Sequence, residues 1–508
     1  MSTERKKTGS FYTPPAWARE LAARSLGRTL AELRRNFCNQ PQAHAAALAT
    51  LRVLDPACGK GALLCAAAEL LLAEYTSLGI SSPDLSHHLC GVDISDQAVA
   101  STRAALAPWG GGNIRQGNAL VSDSNICTHP IAWEQAYPEI ATTGGFDVII
   151  ANPPYVFTRG HKLPPAEDRW LREHYPLARY QLNLYGLFTE LCYRLLRPGG
   201  RAALLIPNTW LTIRSFTPLR RHLLSNAADL HITNIRGQIF DGAAVDACIT
   251  SWRQAQPDTL HFTELKEDGT SVSCTLPAHE LCKGDAIIAP LALNEEQAEL
   301  LRAINESSQP LSHFATISSG LKVYERGKGT PPQTAEQIKA RAFHHTGPPG
   351  PGDLPWLDGR DVKRFELAHS RGLYLRMGAH LAAMRPKVDF SAPRILVRQI
   401  PAKLPYCIHA AYTEAPAACD LNCHIVHNFR GLHPLALLAL INSPLTSLWF
   451  AATFGKLQRR TFPQFKVREL AQFPIPRRAG EFEQQLIALA QPGRDAELTA
   501  LHRKLIGL

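Results

Sequence analysis

The chain has no apolar run of the roughly 18 residues that a membrane-spanning helix requires. Its first residues, MSTERKKTGSF, are polar and do not resemble a secretion signal. Low-complexity tracts and short internal repeats are also missing, which argues against a disordered or repeat architecture. These absences predict a cytoplasmic protein without membrane contacts, whose twelve scattered cysteines are reduced thiols.

Common nucleotide- and metal-binding patterns are missing too. Residues 55–61, DPACGKG, are not a Walker phosphate loop, because the lysine is followed by a glycine, and they do not match GxGxxG. A zinc finger is not expected either, since the spacing of Cys419, Cys423, His424 and His427 is not that of a standard finger. We therefore predict no metal site.

What the chain does have is an uneven distribution of charge. Its 508 residues, 45% hydrophobic and 19% charged, are ordinary for a globular protein of two or three domains. Residues 311–480 carry 23 Lys and Arg but only 10 Asp and Glu, a balance of +13. Since the whole chain carries +10, the remainder carries −3. This distribution favours a nucleic-acid-binding domain joined to a domain with another task, over a basic surface that merely aids solubility.

Strands alternate with helices through the first half of the chain. Short apolar strands are predicted at residues 51–54, 88–93, 113–116, 146–151 and 201–206. Helical spacing of apolar residues separates them, which predicts a parallel sheet covered on both faces. Two later strands, His231–Gly237 and Ala247–Trp252, are predicted to close this sheet as an antiparallel pair.

The most informative motif is Asn-Pro-Pro-Tyr at residues 152–155, directly after the apolar strand 146–151. The Asn152 side chain and the Pro153 carbonyl can both accept hydrogens from a planar amino group. The consecutive prolines restrict φ and hold these acceptors still. Tyr155 offers a flat face on which a base can stack. This combination suits the methylation of an exocyclic amine.

Polar residues also follow the other predicted strands, where open α/β sheets bind their ligands. Asp55 suits a ligand with a cationic amine, although a plain strand-to-helix turn is the alternative. Asp93 can accept hydrogen bonds from ribose hydroxyls, or it can cap the following helix. Asn118 can bind an adenine amine, but a surface turn is the commoner explanation of such a residue alone. With residues 152–155, the four strand ends form one row along the edge of the sheet.

In chain order, these segments resemble a known family. The chain contains GSFYTPP at residues 9–15, DPACG at 55–59, VDI at 92–94, GNAL at 117–120 and NPPY at 152–155. NLYG at 183–186, IPNTW at 206–210 and the basic region follow. This order resembles the gamma-class, Taq-type N6-adenine DNA methyltransferases of restriction–modification systems.

The resemblance implies that S-adenosylmethionine is the methyl donor. Thr13 would hold its carboxylate, Asp93 would bind its ribose, and Ile94 would pack on its adenine. The family usually has aspartate where this chain has Asn118, which retains an acceptor oxygen for the adenine amine. The predicted donor-binding residues are Thr13, Asp55, Pro56, Ala57, Cys58, Gly59, Gly61, Asp93, Ile94, Asn118 and Ala119.

The resemblance also implies that the target adenine leaves the DNA helix, because its amine is inaccessible inside a duplex. Tyr155 and Phe240 would stack on the two faces of the flipped base. Hydrogen bonds to Asn152 and the Pro153 carbonyl would free the nitrogen lone pair for in-line attack on the methyl group. The predicted catalytic residues are Asn152, Pro153, Pro154 and Tyr155.

By the same resemblance, the fold would be a Rossmann-like methyltransferase sheet with helices on both faces, followed by a mixed α+β domain that recognises the DNA target. We predict a catalytic domain over residues 1–255, a linker region over 256–310, the recognition domain over 311–476 and a helical tail over 477–508. Lys and Arg beside aromatic residues can bind phosphates or wedge between bases. The predicted DNA-binding residues are Lys322, Arg326, Arg360, Lys456, Arg459 and Arg460.

The sequence thus predicts a site-specific adenine-N6 methyltransferase acting on duplex DNA, the modification component of a restriction–modification or phage-defence system. A separate restriction endonuclease or defence-system subunits are further candidate partners. Two alternatives stay open. One is a methyltransferase for an exocyclic amine in RNA or for a protein glutamine, since both chemistries use Asn-Pro-Pro-Tyr. The other is a non-catalytic DNA-binding subunit with a vestigial donor site.

Overall fold

The computed structural model describes residues 13–155, 163–178, 182–235, 239, 246–277, 295–454 and 463–508. The chain divides into two compact units, residues 1–292 and residues 293–508. Each unit has its own strands, helices and hydrophobic clusters.

The first unit is built on a nine-stranded sheet. Its strands are β1 Val53–Asp55, β2 Leu89–Asp93, β3 Asn113–Gln116, β4 Phe146–Ala151, β5 Leu196–Pro207, β6 Ala228–Ile235, β7 Ala247–Arg253, β8 Thr259–Leu265 and β9 Ser271–Pro277. Their order across the sheet is β3-β2-β1-β4-β5-β7-β6-β8-β9. All are parallel except β7 and β9. The predicted closing pair of antiparallel strands is therefore confirmed as β6 and β7.

Both faces of the central strands are buried, which explains their unbroken apolar runs. Successive side chains of a strand point to opposite faces. On β4, Val148 and Ile150 enter one hydrophobic core, while Ile149 and Ala151 enter the other. Helices cover the two cores: α1 Pro15–Ala22, α2 Arg28–Asn36, α3 Pro41–Ala49, α4 Ala62–Ser77, α5 Asp96–Leu106, α6 Trp133–Ala136, α7 Glu139–Thr143, α8 Pro165–His174, α9 Leu184–Leu195 and α10 Thr217–Asn226.

The N-terminal helices are tied to the sheet by arginines. A π-helical turn joins α1 to α2, and in it Arg24 Nη1 donates to Thr233 Oγ1 on β6 at 2.6 Å. Arg28 Nη1 donates to Asp229 Oδ2 at 2.7 Å, and Arg201 Nη1 donates to the same oxygen at 2.6 Å. The bonds from Arg24 and Arg28 hold the turn after α1 and the start of α2 against the sheet. Thr13 lies two residues before α1.

The sheet extends beyond the predicted domain boundary at residue 255. β8 pairs in parallel with β6, and β9 pairs with β8, within the segment that the sequence predicts to be a linker. Leu260 and Phe262 of β8 are buried, whereas the alternating residues Thr259, His261 and Thr263 are polar and less buried. Such a strand near the sheet edge needs only alternate apolar residues, so in sequence it looks like a polar connection.

The second unit has three small sheets. Its strands are β10 Ser308–Pro310, β11 Thr316–Ser319, β12 His344–His345, β13 Asp353–Leu357, β14 Tyr374–Arg376, β15 Arg394–Arg398, β16 Ala410–Thr413, β17 Ala418–Cys419, β18 Cys423–His427 and β19 Pro474–Pro476. β10 pairs with β19, and the four-stranded sheets run in the orders β11-β18-β15-β16 and β12-β14-β13-β17. At Gly320 a Cβ atom would lie 1.9 Å from the carbonyl oxygen of Asp420, so only glycine fits there.

Helices of the second unit are α11 Glu295–Ser307, α12 Ala335–Ala340, α13 Pro434–Ile441, α14 Pro444–Phe454, α15 Val467–Leu470, α16 Glu483–Ala488 and α17 Asp495–Ile506. The segment predicted as a helical tail contributes to the core of this unit, because Leu498 and Leu505 are buried against other core residues that include Ile304. Within the described residues, no single helix is long and apolar enough to cross a membrane, and only the bent pair α13–α14 meets that criterion jointly, by length and composition.

Candidate active site

The strand order of the first unit creates a switch point between β1 and β4, since the chain winds in opposite directions on either side of it. Leu54 lies opposite Ile149 in the parallel register of these strands, so Asp55 and Asn152 leave the sheet at the same edge. Ligands of doubly wound sheets bind outside the carboxyl ends of the strands at such a point. This edge is the candidate active site.

The loop after β1 is fixed by its neighbours rather than by its own sequence. The Cys58 amide donates to the carbonyl of Val92 on β2 at 2.9 Å, and Thr102 Oγ1 on α5 donates to the carbonyl of Gly59 at 2.8 Å. Gly59 has φ +51°, and a Cβ atom there would have nothing within 4 Å. The backbone of this loop is thus held open on its outer side, as close approach of a ligand requires.

Asp55 is a carboxyl group almost without solvent contact, with 1% of its surface exposed. Burial raises the pKa of Asp55 to about 8, and the nearby charge of Asp93 adds to the rise, while the hydrogen bond from the Ala57 amide to Oδ1 (3.1 Å) opposes it. A cation beside this group would favour its ionised form.

Asp93 connects the loops that follow β1 and β2. Its Oδ2 accepts a hydrogen bond from the Gly59 amide at 2.9 Å, and its Oδ1 accepts one from the Ser95 amide at 2.9 Å. The side chain that caps helix α5 is that of Ser95. The helix-capping role that the sequence also allowed for Asp93 therefore belongs to Ser95. Ile94 is 66% exposed, the largest fraction for a bulky hydrophobic side chain among the described residues. An acid and an exposed apolar side chain thus stand side by side.

Asn118 follows β3, and both polar atoms of its side-chain amide form hydrogen bonds. Its Oδ1 accepts from the Leu120 amide at 3.0 Å, and its Nδ2 donates to Glu167 Oε1 on α8 at 3.1 Å. Ala119 beside it is buried. Sequence reasoning missed Glu167, which is 49 positions away and belongs to no motif.

Asn152 at the end of β4 is oriented by Thr13. The Asn152 Nδ2 atom donates to Thr13 Oγ1 at 3.0 Å, which places the carbonyl oxygen on the opposite side of the amide. Thr13 was predicted to contact a bound carboxylate, whereas this contact gives it a second role as a positioning residue. Pro153 is buried, so the backbone that carries the second predicted acceptor is held in the protein interior.

Tyr155 is fixed by its hydroxyl, which donates to the carbonyl of Leu205 on β5 at 3.0 Å. Its ring meets that of Tyr185 edge to face, with 6.4 Å between centroids. Burial raises the pKa of the Tyr155 hydroxyl well above its usual value, and the neighbouring Cys248 and Tyr185 add to the rise. The group is therefore neutral at physiological pH and serves as an anchor that holds the ring at the sheet edge.

Two families match this chain over separate regions. Residues 87–240 match the Eco57I restriction-modification methylase family, and residues 354–475 match the TaqI-like C-terminal specificity domain. The first match includes the ends of β2, β3 and β4, and the second lies in the basic region.

This chain resembles the Taq-type methylases of restriction–modification systems. The resemblance that its motifs predict is confirmed. The type II methyltransferase M.TthHB8I of Thermus thermophilus is 26% identical over 334 residues, 64% of this chain and 64% of that protein. The type II restriction enzyme and methyltransferase RM.Eco57I of Escherichia coli is 26% identical over 160 residues, 30% of this chain and 16% of that protein. The chain spans less than two thirds of the length of these curated relatives.

Solved structures show the same fold. The Type IIL restriction-modification enzyme MmeI in complex with DNA matches 100% of this chain and 76% of its own, with a TM-score of 0.67 and 13% identity. The DrdV–DNA complex matches 96% of this chain and 58% of its own, with a TM-score of 0.55 and 13% identity. The predicted fold class, a Rossmann-like sheet followed by a specificity domain, is confirmed.

The specificity domain presents one of the predicted DNA-binding residues on a rigid loop. The Arg360 side chain is 76% exposed and its Nη2 atom lies 3.3 Å from Asp358 Oδ2, while the Arg360 main-chain amide donates to Asp358 Oδ1 at 2.8 Å. The Asp358 amide donates in turn to Asp361 Oδ2 at 2.8 Å, so the backbone on both sides of Arg360 is fixed. Lys322 forms an ion pair with Glu325 at 2.8 Å, and Arg326 is exposed.

Four predicted residues lie outside the described part of the chain. They are the stacking candidate Phe240 and the basic residues Lys456, Arg459 and Arg460.

Three of the four residues considered for zinc, Cys423, His424 and His427, lie on β18 and do not share one face of it. Cys423 and His427 point to one face of β18, whereas His424 points to the other and contacts the Phe465 carbonyl at 2.9 Å. In the described ranges, the ligand atoms that come within 4.8 Å of one another belong to Asp229, His231 and His261. Arg28 and Arg201 both bind Asp229, and these cations disfavour a metal ion there.

Proposed function

We propose that this protein is a site-specific DNA methyltransferase that transfers a methyl group from S-adenosylmethionine to N6 of adenine in duplex DNA. The observation that carries the proposal is the position of Asn152–Tyr155 at the carboxyl end of β4, beside Asp55 across the switch point. An amine-binding motif and an acidic ligand site meet at one sheet edge. The basic region with its TaqI-like specificity domain supports DNA as the substrate.

The residues at the ends of β1, β2 and β3 fit S-adenosylmethionine. Asp55 would face the cationic amine, Asp93 would accept from ribose hydroxyls, and the exposed Ile94 would pack against the adenine ring. Gly59 leaves room for the ligand to approach the backbone. When bound, this donor supplies a methyl group activated by its sulfonium charge.

The acceptor amine would be bound by Asn152 and the Pro153 carbonyl. Because Thr13 holds Asn152 Nδ2, the Asn152 carbonyl oxygen is directed away from Thr13 and can accept a hydrogen from the amine. Two acceptors on one nitrogen favour a tetrahedral geometry in which the lone pair leaves conjugation with the ring. Positioning of this kind needs no acid or base with a shifted pKa.

The target adenine would be flipped out of the duplex and stacked on Tyr155, with Phe240 on its other face. Duplex DNA is thus the proposed macromolecular partner, and a cytoplasmic location follows from that substrate. We also propose that the protein works as the modification component of a restriction–modification or phage-defence system, alongside a separate endonuclease or other defence subunits.

The test of this function is methylation in a living cell. The protein and its Asn152→Ala variant would be expressed in a methylation-deficient host, and the host DNA read by single-molecule sequencing. We expect N6-methyladenine in one sequence context, in the wild-type culture alone. Cytosine methylation, or unmodified DNA from an expressed and donor-binding protein, would contradict the proposal and direct the search to RNA or protein substrates.

Substitutions of Tyr155 separate its ring from its hydroxyl. Tyr155→Ala is expected to lower kcat/KM for methyl transfer by about tenfold to a hundredfold, because base stacking contributes ~1–3 kcal/mol. Tyr155→Phe is expected to retain most activity, since it loses only the anchoring bond to the Leu205 carbonyl. Steady-state kinetics on a methylatable duplex would measure both. Equal losses in the two variants would contradict the stacking role.

Donor binding is expected to depend on pH through Asp55. Burial raises the pKa of Asp55 to about 8, so in the free protein the carboxyl is protonated below that pH. A bound ammonium would lower this pKa, so binding releases a proton and affinity rises with pH, by up to about tenfold per unit, until pH 8. Calorimetry with S-adenosylhomocysteine between pH 6 and 8 measures the affinity. Repeating it in buffers of different ionisation enthalpy measures the number of protons released. Asp55→Asn should abolish the pH dependence. An unchanged slope in Asp55→Asn would contradict the assignment.

A further inference from the structure

A carboxylate from a distant helix lies at the end of β3. Glu167 sits in the first turn of α8, and its Oε1 accepts a hydrogen bond from Asn118 Nδ2 at 3.1 Å. Both side chains are half-buried. The pair brings together residues that are 49 positions apart in the chain.

The contact brings the Glu167 carboxyl group to the end of β3, where the Asn118 side chain is a neutral amide. The Asn118 carbonyl oxygen accepts from the Leu120 amide, and the Asn118 main-chain amide donates to the His129 carbonyl at 2.7 Å. Asn118 is therefore engaged with its own loop and with Glu167. A carboxylate has about four acceptor sites, so Glu167 can bind a further donor while it retains Asn118.

The Glu167 carboxyl group lies at the strand end next to the one that carries Asp93 and Ile94. Gln116, two residues before Asn118, lies opposite Asp93 in the register of β2 and β3, and the Gly117 amide donates to the Asp93 carbonyl at 2.9 Å. The exposed Ile94 follows Asp93 directly. An acid suited to ribose, an apolar side chain suited to a ring and a second acid follow one another along this edge.

We propose that Glu167 is a specificity-determining residue that accepts a hydrogen bond from the exocyclic amine of the donor's adenine. This inference rests on the proposed function and extends it to a residue outside the recognised motifs. A carboxylate only accepts, so it favours the 6-amino group of adenine over the 6-keto oxygen of hypoxanthine. Glu167 would thereby select adenosyl over inosyl ligands.

The test compares two ligands that differ at this one position. Calorimetry would measure the binding of S-adenosylhomocysteine and S-inosylhomocysteine to the full-length protein and to its Glu167→Gln variant. We expect Glu167→Gln to weaken adenosyl binding by about tenfold, because a neutral amide replaces the charged acceptor. Inosyl binding should stay the same or strengthen, because the glutamine amide can donate to the 6-keto oxygen. The ratio of the inosyl to the adenosyl dissociation constant should therefore be smaller in Glu167→Gln than in the wild-type protein.

Matched controls separate recognition from structure. Glu173→Gln makes the same change at an exposed position of α8 and is expected to alter neither affinity. Glu167→Ala, checked for folding by circular dichroism, should lose the same preference. Equal weakening of both ligands by Glu167→Gln would assign Glu167 a purely structural role and overturn the inference, as would an unchanged preference.

The experiment also separates this inference from the proposed function. Wild-type protein that binds neither ligand would overturn both. Wild-type protein that binds S-adenosylhomocysteine with a preference independent of Glu167 would overturn the inference alone and leave the methyltransferase proposal standing.

Discussion

Replacing Asn152 by alanine is expected to lower the rate of methyl transfer by about a hundredfold to a thousandfold, the range seen when one preorganised polar group is removed from a reacting centre. The amide is held by Thr13 at 3.0 Å, so the protein places its acceptor before any substrate arrives. Alanine removes that acceptor and leaves only the Pro153 carbonyl. Donor affinity should change little, because the proposed donor contacts lie at the ends of β1, β2 and β3.

Single-turnover methylation with radiolabelled donor would measure this loss, and calorimetry with S-adenosylhomocysteine would measure the affinity. Asn226→Ala is the matched control, since Asn226 is an exposed residue at the end of α10 that contacts the His222 carbonyl. It should methylate at the wild-type rate. A near-normal rate in Asn152→Ala would contradict the proposed mechanism, and a parallel loss of donor affinity would show that Asn152 belongs to the donor site.

DNA binding is expected to weaken by about a thousandfold or more between 50 and 200 mM salt, as for proteins that make six to ten phosphate contacts. The reason is the concentration of positive charge in residues 311–480, which contain 23 Lys and Arg but only 10 Asp and Glu. Each phosphate that a lysine or arginine neutralises releases condensed counterions. The release is less favourable as salt rises, so affinity falls with a slope that reports the number of contacts.

Fluorescence anisotropy of a labelled duplex over a KCl series would give that slope. Arg360→Ala should reduce it by about one, because Arg360 is exposed and its loop is fixed by Asp358 and Asp361. Arg478→Ala should not, since two nitrogens of the Arg478 guanidinium donate to Glu481 Oε2 at 3.1 and 3.0 Å. Arg360 instead meets Asp358 through one nitrogen at 3.3 Å, and Asp358 is shared with Arg371. A flat salt dependence would contradict phosphate-driven binding, and a slope unaltered in Arg360→Ala would remove Arg360 from the contact surface.

Several elements of the fold were predictable because local pattern and tertiary environment agree. The five parallel strands of the first half were found where the sequence predicts them, since buried parallel strands need continuous apolar runs and turn residues at their ends. The motif Asn152–Tyr155 was recognisable for a similar reason. Its chemistry lies in four consecutive residues at the end of one strand.

β8 and β9 were not predicted, and the reason is physical. Their partners are other strands of the sheet, and only alternate residues such as Leu260 and Phe262 are buried, which leaves a polar composition. The C-terminal helices were missed as core elements in the same way. Their apolar residues pack on segments far away in the chain, and no local pattern specifies that contact.

The strand ends, the Asn-Pro-Pro-Tyr motif, the acidic residues at the neighbouring strand ends and the basic second half could all be predicted from the sequence, because each depends on neighbouring residues or on composition. The contacts between Thr13 and Asn152 and between Glu167 and Asn118 could be found in the folded structure alone. Both contacts join residues separated by more than 40 positions. They form because helices α1 and α8 pack onto the sheet, and such packing follows from burial summed over the whole unit, which no short segment of the chain encodes.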